Sequence, residues 1–449
     1  MEIYRQVKYF SILEKNDFFH LIYTYTRKIN GIKLKVIKYT YKFRIEPTKE
    51  QSILLAKHFG SVRWTYNYFL NQRKEEYLNN KASLTYNKQS GYLTQLKKNN
   101  DKQWLKEINA QTLQFSLKCL ETAYAGFFAG RAKFPKFKSR KSKNSFTVPQ
   151  NVRYDGTKLI IPKFIEGIKM IMERKIKGTI KRANISKTPT GKYFVSILTE
   201  QEYIPVSKTG LSVGIDLGIK DFLVLSNGTK IKNHRFLRHY QHQLKLNQQY
   251  LSRKTNQSNR YEQQRIKVAR IYEKITNSRQ DLIQKTTTNL IKNFDIIYLE
   301  DLNIKGMSHR CKPKQNENGK YLPNGQSAKS GLNKSILDVA WGTFIDVLEY
   351  KAGWNDKQVI HIDRFFPSSK TCSKCGWINN GLTLKDRTWI CPKCGEKHDR
   401  DFNAATNILN EGYRKNISVG TTDYERGAKI RPKKLGTSNE TLKEKESIS

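Results

Sequence analysis

Apolar and polar side chains alternate through LKVIKYTYKFRIE at 34–46, the two-residue period of a strand with one face in a core. Pro47 follows, and Thr48 and Gln51 have the spacing of a capping box. A helix is therefore expected next, with Leu54, Leu55, Val62, Phe69 and Leu70 in its apolar pattern. A second helix is expected from about Trp104 to Phe128, because Leu113, Leu117, Leu120, Tyr124 and Phe127 step by 4, 3, 4 and 3. The stretch 131–143 breaks the pattern: seven of its thirteen residues are Lys or Arg, none is acidic, and Pro135 stops any helix. From about 145 to 205 the period returns to two in short runs such as KLIIP and YFVSILT. These runs predict a small β-barrel or sandwich that the strand at 34–46 rejoins.

Beyond residue 210 the elements alternate in type. SVGIDLG and FLVLS read as strands, and Asn227-Gly228 is a type I′ hairpin signal leading to a third. Residues 236–292 are helical and polar, with a break near 255–259 and an apolar seam at Val268, Ile271, Ile275, Leu282 and Leu290. FDIIYLED is a short, nearly continuous apolar strand of the buried parallel type. A loop rich in Gly, Asn and Lys at 308–330 precedes a helix at 336–352 and a strand at VIHID. Three hairpin-linked strands, helix, strand, helix, strand is the order of an RNase H-like α/β layer. The tail from about Gly412 has almost no apolar residues and is expected to be disordered.

Charge narrows the function. Lys and Arg number 83 against 39 Asp and Glu, a formal net charge of +44 over 449 residues. Such an excess is best tolerated beside a polyanion, while 24 Tyr, 21 Phe and 6 Trp are too many aromatics for a disordered polycation. Nucleic acid is the implied partner. Apolar runs fall short of the ~20 residues of a membrane span, so no membrane role is expected. Glu14, Lys15 and Asp17 interrupt the start of the chain, which gives no secretory pattern and a cytoplasmic expectation. Lys133, Lys136, Lys138, Arg140 and Lys141, interleaved with Phe134 and Phe137, are the candidate nucleic-acid contacts.

The sharpest local motif is Cys372-x2-Cys375, fifteen residues, then Cys391-x2-Cys394. Each knuckle is followed by a glycine, Gly376 or Gly395, that lets the chain turn toward its thiolates. Four thiolates at this spacing fit one structural, closed, tetrahedral Zn²⁺. Cys119 is expected to pack inside its helix, and Cys311 sits in a polar loop. Three acids stand out in a chain poor in them: Asp216 in SVGIDLG, Glu300 ending IIYLE, and Asp401 in HDRDFNAATNIL. Because side chains alternate along a strand, only one of Glu300 and Asp301 can join Asp216. Carboxylates clustered at strand ends are the donor set for two Mg²⁺ ions that activate water and stabilise a leaving phosphodiester oxygen. His398 could orient one of these carboxylates or a water, although a surface or packing histidine is the commoner outcome.

In YKFRIEPTKEQ, VGIDLGIKDFLVLSNG, YLEDLNIKGM, the SSKTCSKCG…CPKCG ribbon and HDRDFNAATNIL, in that order from about 34 to 411, the chain resembles the TnpB family. These are transposon-encoded RNA-guided DNA endonucleases related to type V CRISPR effectors. The resemblance implies a RuvC-like nuclease whose catalytic acids fall on Asp216, Glu300 and Asp401, with Asp399 the rival for the third place. It also implies a guide RNA, a double-stranded DNA target beside a short flanking motif, and a prokaryotic cytoplasm with association to the nucleoid when DNA is bound. The expected organisation is multidomain α+β: an N-terminal extension (1–33), a β-barrel (34–47 and 144–206), a helical recognition bundle (48–143), a RuvC-like domain (207–369 and 396–411), an inserted zinc ribbon (370–395) and a disordered tail (412–449). Competing readings are an RNase H-fold transposase, a miniature type V CRISPR effector and an RNA-guided DNA-binding repressor.

Overall fold

The computed structural model of the chain describes residues 24–29, 32–140, 143–383 and 385–419. Phe10, Phe18, Phe19 and Tyr23, Lys141, and the tail from 420 lie outside the described residues. The first strand expected at 34–46 begins earlier: β1 (Thr24–Ile29) pairs antiparallel with the start of β2 (Ile32–Glu46). Helix α1 (Lys49–Asn80) opens on the capping box read from the sequence, with the Thr48 hydroxyl taking the Gln51 N–H and the Gln51 side chain taking that of Thr48. After α2 (Tyr86–Leu96) the pattern read as one helix from 104 divides. Asn100–Glu107 is a 3₁₀ turn, Ile108 is extended, and the Asn109 side chain caps α3 (Ala110–Phe128) by accepting from Gln111 N. The apolar step was right for α3, whereas an Asn cap at its start forces the break. Cys119 is exposed on α3 and does not pack inside it.

Strands β3 (Asn144–Val148), β4 (Arg153–Tyr154), β5 (Lys158–Ile161), β6 (Phe164–Ile171), β7 (Thr179–Lys187) and β8 (Tyr193–Tyr203) complete one sheet in the order β3-β7-β8-β2-β6-β5-β4. The early strand β2 does rejoin it, between β8 and β6. One continuous core holds both layers: Phe43 and Ile45 of β2, Leu55, Phe59 and Phe69 of α1, Leu113 and Leu117 of α3, and Val195 and Ile197 of β8.

Farther along, β9 (Ser212–Leu217), β10 (Asp221–Leu225) and β11 (Lys230–Lys232) form the expected three strands. The turn before β11 is not type I′. Gly228 N donates to Leu225 O and Leu225 N to Thr229 O, and of the two turn residues Gly228 alone has positive φ, as in a three-residue loop closed by a glycine bulge. Helices α4 (Phe236–Ser252) and α5 (Asn259–Asn293) flank the expected break and share the seam of Leu244, Val268, Ile271 and Ile275. Then follow β12 (Ile296–Glu300), the short α6 (Ile304–Met307), the β13 (Lys314–Gln315) and β14 (Tyr321–Leu322) hairpin, α7 (Gln326–Val339) and α8 (Trp341–Trp354). The helix expected at 336–352 is thus two, separated at Ala340, whose φ of 59° no helix tolerates. Strand β15 (Gln358–Ile362), the β16 (Thr388–Ile390) and β17 (Lys397–Asp399) pair, and α9 (Arg400–Val419) end the described chain. Helix α9 therefore continues past 412, where a disordered tail was expected.

The described chain divides into two compact units, the second made of Ser212–Ile231, Ile297–Leu302 and the residues from Ile360. Its sheet has the order β11-β10-β9-β12-β15. Helix α9 lies on that sheet with its backbone almost touching β9. A Cβ on Gly214 would be driven into the Ala405 carbonyl oxygen and would stand 2.6 Å from Leu409 N. Two strand residues advance about 6.6 Å and four helix residues about 6 Å. Stepping from Gly214 to Asp216, and back from Ala405 to Asp401, therefore keeps the two chains in register on one face. A similar close approach recurs at Gly412, where a Cβ would overlap the ring of the fully buried Tyr298, two residues before Glu300.

Gly214→Ala should destabilise the second unit by about 1–3 kcal/mol, the range of overpacking substitutions. Gly331→Ala in α7, where nothing lies within 4 Å of the added Cβ, should be neutral or stabilising. Thermal melts of the two variants beside the parent check this contrast.

Candidate functional site

Asp216 lies opposite Val224 of β10 and is half-buried on the face that carries α9. Glu300 ends β12, and its Oε1 accepts a hydrogen bond from the Ser368 hydroxyl. The alternation argument holds for its neighbour: Asp301 is exposed and taken by Arg364, which also donates to the Asp301 carbonyl at 2.9 Å. Asp401 lies in the first turn of α9, its side chain 24% exposed, with Arg387 Nη1 3.8 Å away. The rival Asp399 is engaged elsewhere: it accepts from Phe402 N at 3.0 Å as a helix cap and pairs with Lys230 at 2.7 Å.

The acids feel one another. Burial, then the charges of Glu300 and Asp401, push the Asp216 carboxyl up to about 8, with Arg400 opposing. Glu300 is likewise raised by burial, while the Ser368 hydrogen bond works the other way. Carboxylates whose charges oppose one another ionise together more readily when a cation joins them, although among the described residues these three do not bring their oxygens within 4.8 Å of one another. Three hard oxygen donors, partly open to solvent, are a set that Mg²⁺ accepts while keeping its own waters. The donor chemistry therefore fits a divalent cation.

The four cysteines form, among the described residues, the one group of potential metal ligands whose donor atoms all lie within 4.8 Å of one another. Cys372 Sγ is 3.6 Å from Cys394 Sγ, and Cys375 Sγ is 3.6 Å from Cys391 Sγ. A tetrahedron with Zn–S bonds of about 2.3 Å has edges of about 3.75 Å, so the thiols fit zinc. Gly376 and Gly395 turn with φ of 76° and 69°, and their N–H groups close onto Cys372 O and Cys391 O at 2.9 and 2.8 Å. Although burial opposes ionisation at Cys391, the N–H groups of Cys394 and Lys393 outweigh it and hold that thiol below the usual range. His398 does not face the acids. It is buried against Trp389, with Nε2 3.0 Å from Cys372 Sγ.

The basic segment is mixed. Lys133, Lys136 and Arg140 are exposed, whereas Lys138 is fastened to α1: Asn67 bonds its N–H and its carbonyl at 2.8 Å each, and its ammonium sits 3.9 Å over Tyr66. Phe134 packs edge-on against Tyr124 and Phe127. The aromatic run at 63–69 splits, with Tyr66 and Phe69 in the core and Trp64 and Tyr68 stacked at 4.8 Å on an open groove of about 430 Å³ with Arg63, Asn67 and Asn71. Sequence reasoning missed Ser368, Arg387, Lys230, Asn403 and Asn407. The two asparagines carried a signal, since a spacing of four in NAATN puts both on one helix face.

Comparison with known proteins places this geometry in context. The family model for the Cas12f1-like TNB domain matches residues 341–408, that of the OrfB/IS605 "Probable transposase" matches 195–310, and a helix-turn-helix domain of OrfB/IS605 matches 37–82. A "Putative RNA-guided DNA endonuclease" of Streptomyces pristinaespiralis is 35% identical over 387 residues, covering 84% of this chain and 90% of the relative. The "Putative RNA-guided DNA endonuclease InsQ" of Escherichia coli is 33% identical over 376 residues, covering 83% and 92%. A solved cryo-EM structure of a Cas12f1-sgRNA-target DNA complex aligns with 84% of this chain and 99% of its own, at 14% identity and a TM-score of 0.48.

A raised Asp216 pKa has a direct consequence for metal-free protein. The folded state holds a proton there that the unfolded state has released, so stability should fall as pH rises from about 4 to about 8. Asp216→Asn should flatten that part of the pH profile. Chemical denaturation at a series of pH values in the presence of a chelator measures it.

Proposed function

The chain belongs to the TnpB family, and from that membership and its acid geometry we propose that it is an RNA-guided, Mg²⁺-dependent endonuclease for double-stranded DNA. The observation that carries the reading is the close contact of α9 with β9 at Gly214 and with Tyr298 of β12 at Gly412, which sets Asp216, Glu300 and Asp401 on one face of the sheet. On this reading the sheet β11-β10-β9-β12-β15 with α9 is the RNase H-like, RuvC-type layer, the sheet built on β2 is the barrel, and α1–α3 are the recognition bundle. The four cysteines hold one structural zinc.

Two Mg²⁺ ions at such a site would supply Lewis acidity and an ionised water for phosphodiester cleavage. The chain's own residues set the geometry. Asp216 offers a carboxylate from the centre of the sheet, Glu300 is aimed by the Ser368 hydroxyl, and Asp401 is held by its place in the first turn of α9. Arg387 brings a guanidinium beside Asp401, where an incoming phosphate would meet it. Lys230 draws Asp399 out of the site, leaving Asp401 as the third donor. Base pairing with a guide RNA would read the target, and the basic residues Lys133, Lys136, Lys138, Arg140 and Lys141 would hold backbone phosphate. A bound polyanion also explains a net charge of +44.

Asp216→Asn, Glu300→Gln and Asp401→Asn should each lower cleavage by more than about a hundredfold, the scale on which loss of one charge stabiliser is felt. RNA and target DNA binding should persist. Single-turnover cleavage beside a gel-shift assay checks both, and near-parental cleavage by Asp216→Asn would refute the assignment.

Elemental analysis should find about one zinc per chain. Cys372→Ser should lose it and lower stability, because zinc binding at such sites is worth on the order of 10–16 kcal/mol in isolated peptides. Full activity in zinc-free protein would contradict a structural role.

A further inference from the structure

Between the last strand of the sheet and the first cysteine knuckle, the chain makes a tight turn. Lys370 N and Thr371 N both donate to Pro367 O at 3.0 Å, and the Thr371 hydroxyl joins them at 2.9 Å. Ser368, in this turn, is 6% exposed and places its hydroxyl on Glu300 Oε1. Two asparagines of α9 hold the turn from behind, Asn403 at 1% and Asn407 at 4% exposure. Asn407 Nδ2 donates to Ser368 O at 2.8 Å and to Thr371 O at 2.6 Å. Asn403 Nδ2 donates to the same Thr371 O at 2.7 Å, and its Oδ1 accepts from Ser373 N at 3.0 Å, one residue past the first zinc ligand.

Buried amides that spend their donors and acceptor on backbone groups fix that backbone closely, because no water competes and no other partner is in reach. Asn403 and Asn407 stand two residues and six residues beyond Asp401 on α9, so the helix that carries one acid also sets the turn that aims another. The fixed turn sets where the Ser368 Cα stands, and from there its hydroxyl donates to Glu300. The turn continues without a break into Cys372, whose N–H bonds Trp377 O at 2.7 Å inside the knuckle.

We propose that Ser368, Asn403 and Asn407 are positioning residues that lock Glu300 and the first zinc knuckle to α9, so that the carboxylate is preset for the divalent cation. The proposal rests on the nuclease reading above. Ser368 acts on Glu300 directly, Asn407 acts through Ser368 and Thr371, and Asn403 serves mainly the knuckle side. Substitutions at Ser368 and at Asn403 should therefore give two different signatures.

The test uses full-length protein with its co-purified RNA and compares Ser368→Ala, Ser368→Thr, Asn403→Ala and Glu300→Gln with the parent. Binding of Mn²⁺, followed by electron paramagnetic resonance, is read beside the Mg²⁺ dependence of cleavage and the rate of zinc loss to a chelator. Ser368→Ala should weaken Mn²⁺ binding and raise the half-saturating Mg²⁺ by about 10–100-fold, the usual cost of losing a hydrogen-bond partner behind a metal ligand. Its zinc retention and nucleic-acid binding should match the parent, and Ser368→Thr, which keeps the hydroxyl, should recover most of the loss. Asn403→Ala should release zinc faster than Ser368→Ala does. Parental Mn²⁺ binding and Mg²⁺ dependence in Ser368→Ala, with Glu300→Gln inactive, would overturn the positioning role and leave the nuclease reading standing. Parental cleavage by Glu300→Gln would instead remove the reading on which it rests.

Discussion

The backbone of α9 rests directly on β9 at Gly214, and its later turn rests on Tyr298 of β12 at Gly412. A side chain at either glycine would hold the helix away from the sheet. That contact distance decides where Asp401 stands, because strand and helix advance by matching lengths from Gly214–Ala405 to Asp216–Asp401. The same strand alternation puts Glu300 on the face of Tyr298. A candidate site assembled from residues nearly two hundred positions apart thus depends on the absence of two side chains.

Charge gives that site its character. In a chain carrying +44, burial on the sheet face under α9, and then the charges of Glu300 and Asp401, raise Asp216 well above an ordinary carboxyl. Cations around them are placed at the margin: Lys230 on Asp399, Arg364 on Asp301, and Arg387 loosely beside Asp401. The protein therefore does not neutralise its own acids, and the shortfall is what a divalent ion would satisfy. On the proposed function, the basic remainder would attract a polyanion and the acids would admit its phosphate in company with such ions.

Much of this was legible in the sequence because it depended on local rules. Strand periodicity located β2, β9 and β12, the Thr48–Gln51 spacing gave the start of α1, and paired CxxC knuckles brought four thiols together. Asp216 and Glu300 drew attention as candidates from their places in strands, and Asp401 from its place at a helix start and from the family motif that contains it. Where an opposing local feature was stronger, the reading slipped: Asn109 caps α3 inside an apparently continuous helical stripe, and left-handed Ala340 divides another. The Asn227-Gly228 pair promised a type I′ turn, yet the bonds to Leu225 put the bend one residue earlier. The spacing of Asn403 and Asn407 showed a shared helix face but not what that face meets, and Ser368 carried no signal. Their partners are backbone carbonyls and a carboxylate brought near by the tertiary fold, and no periodicity or spacing encodes such a partner. His398 took the commoner role of a packing histidine, against Trp389, and its polar neighbour there, Cys372, is likewise supplied by the tertiary fold.

The most direct test of the account is cleavage of a DNA duplex matching the RNA that co-purifies with the protein, measured with Mg²⁺ and with a chelator. The account predicts that the matched duplex is cut with Mg²⁺, that an unmatched duplex is left intact, and that the chelator stops the reaction. Cutting that continues in chelator, or that ignores the sequence of the bound RNA, would contradict it.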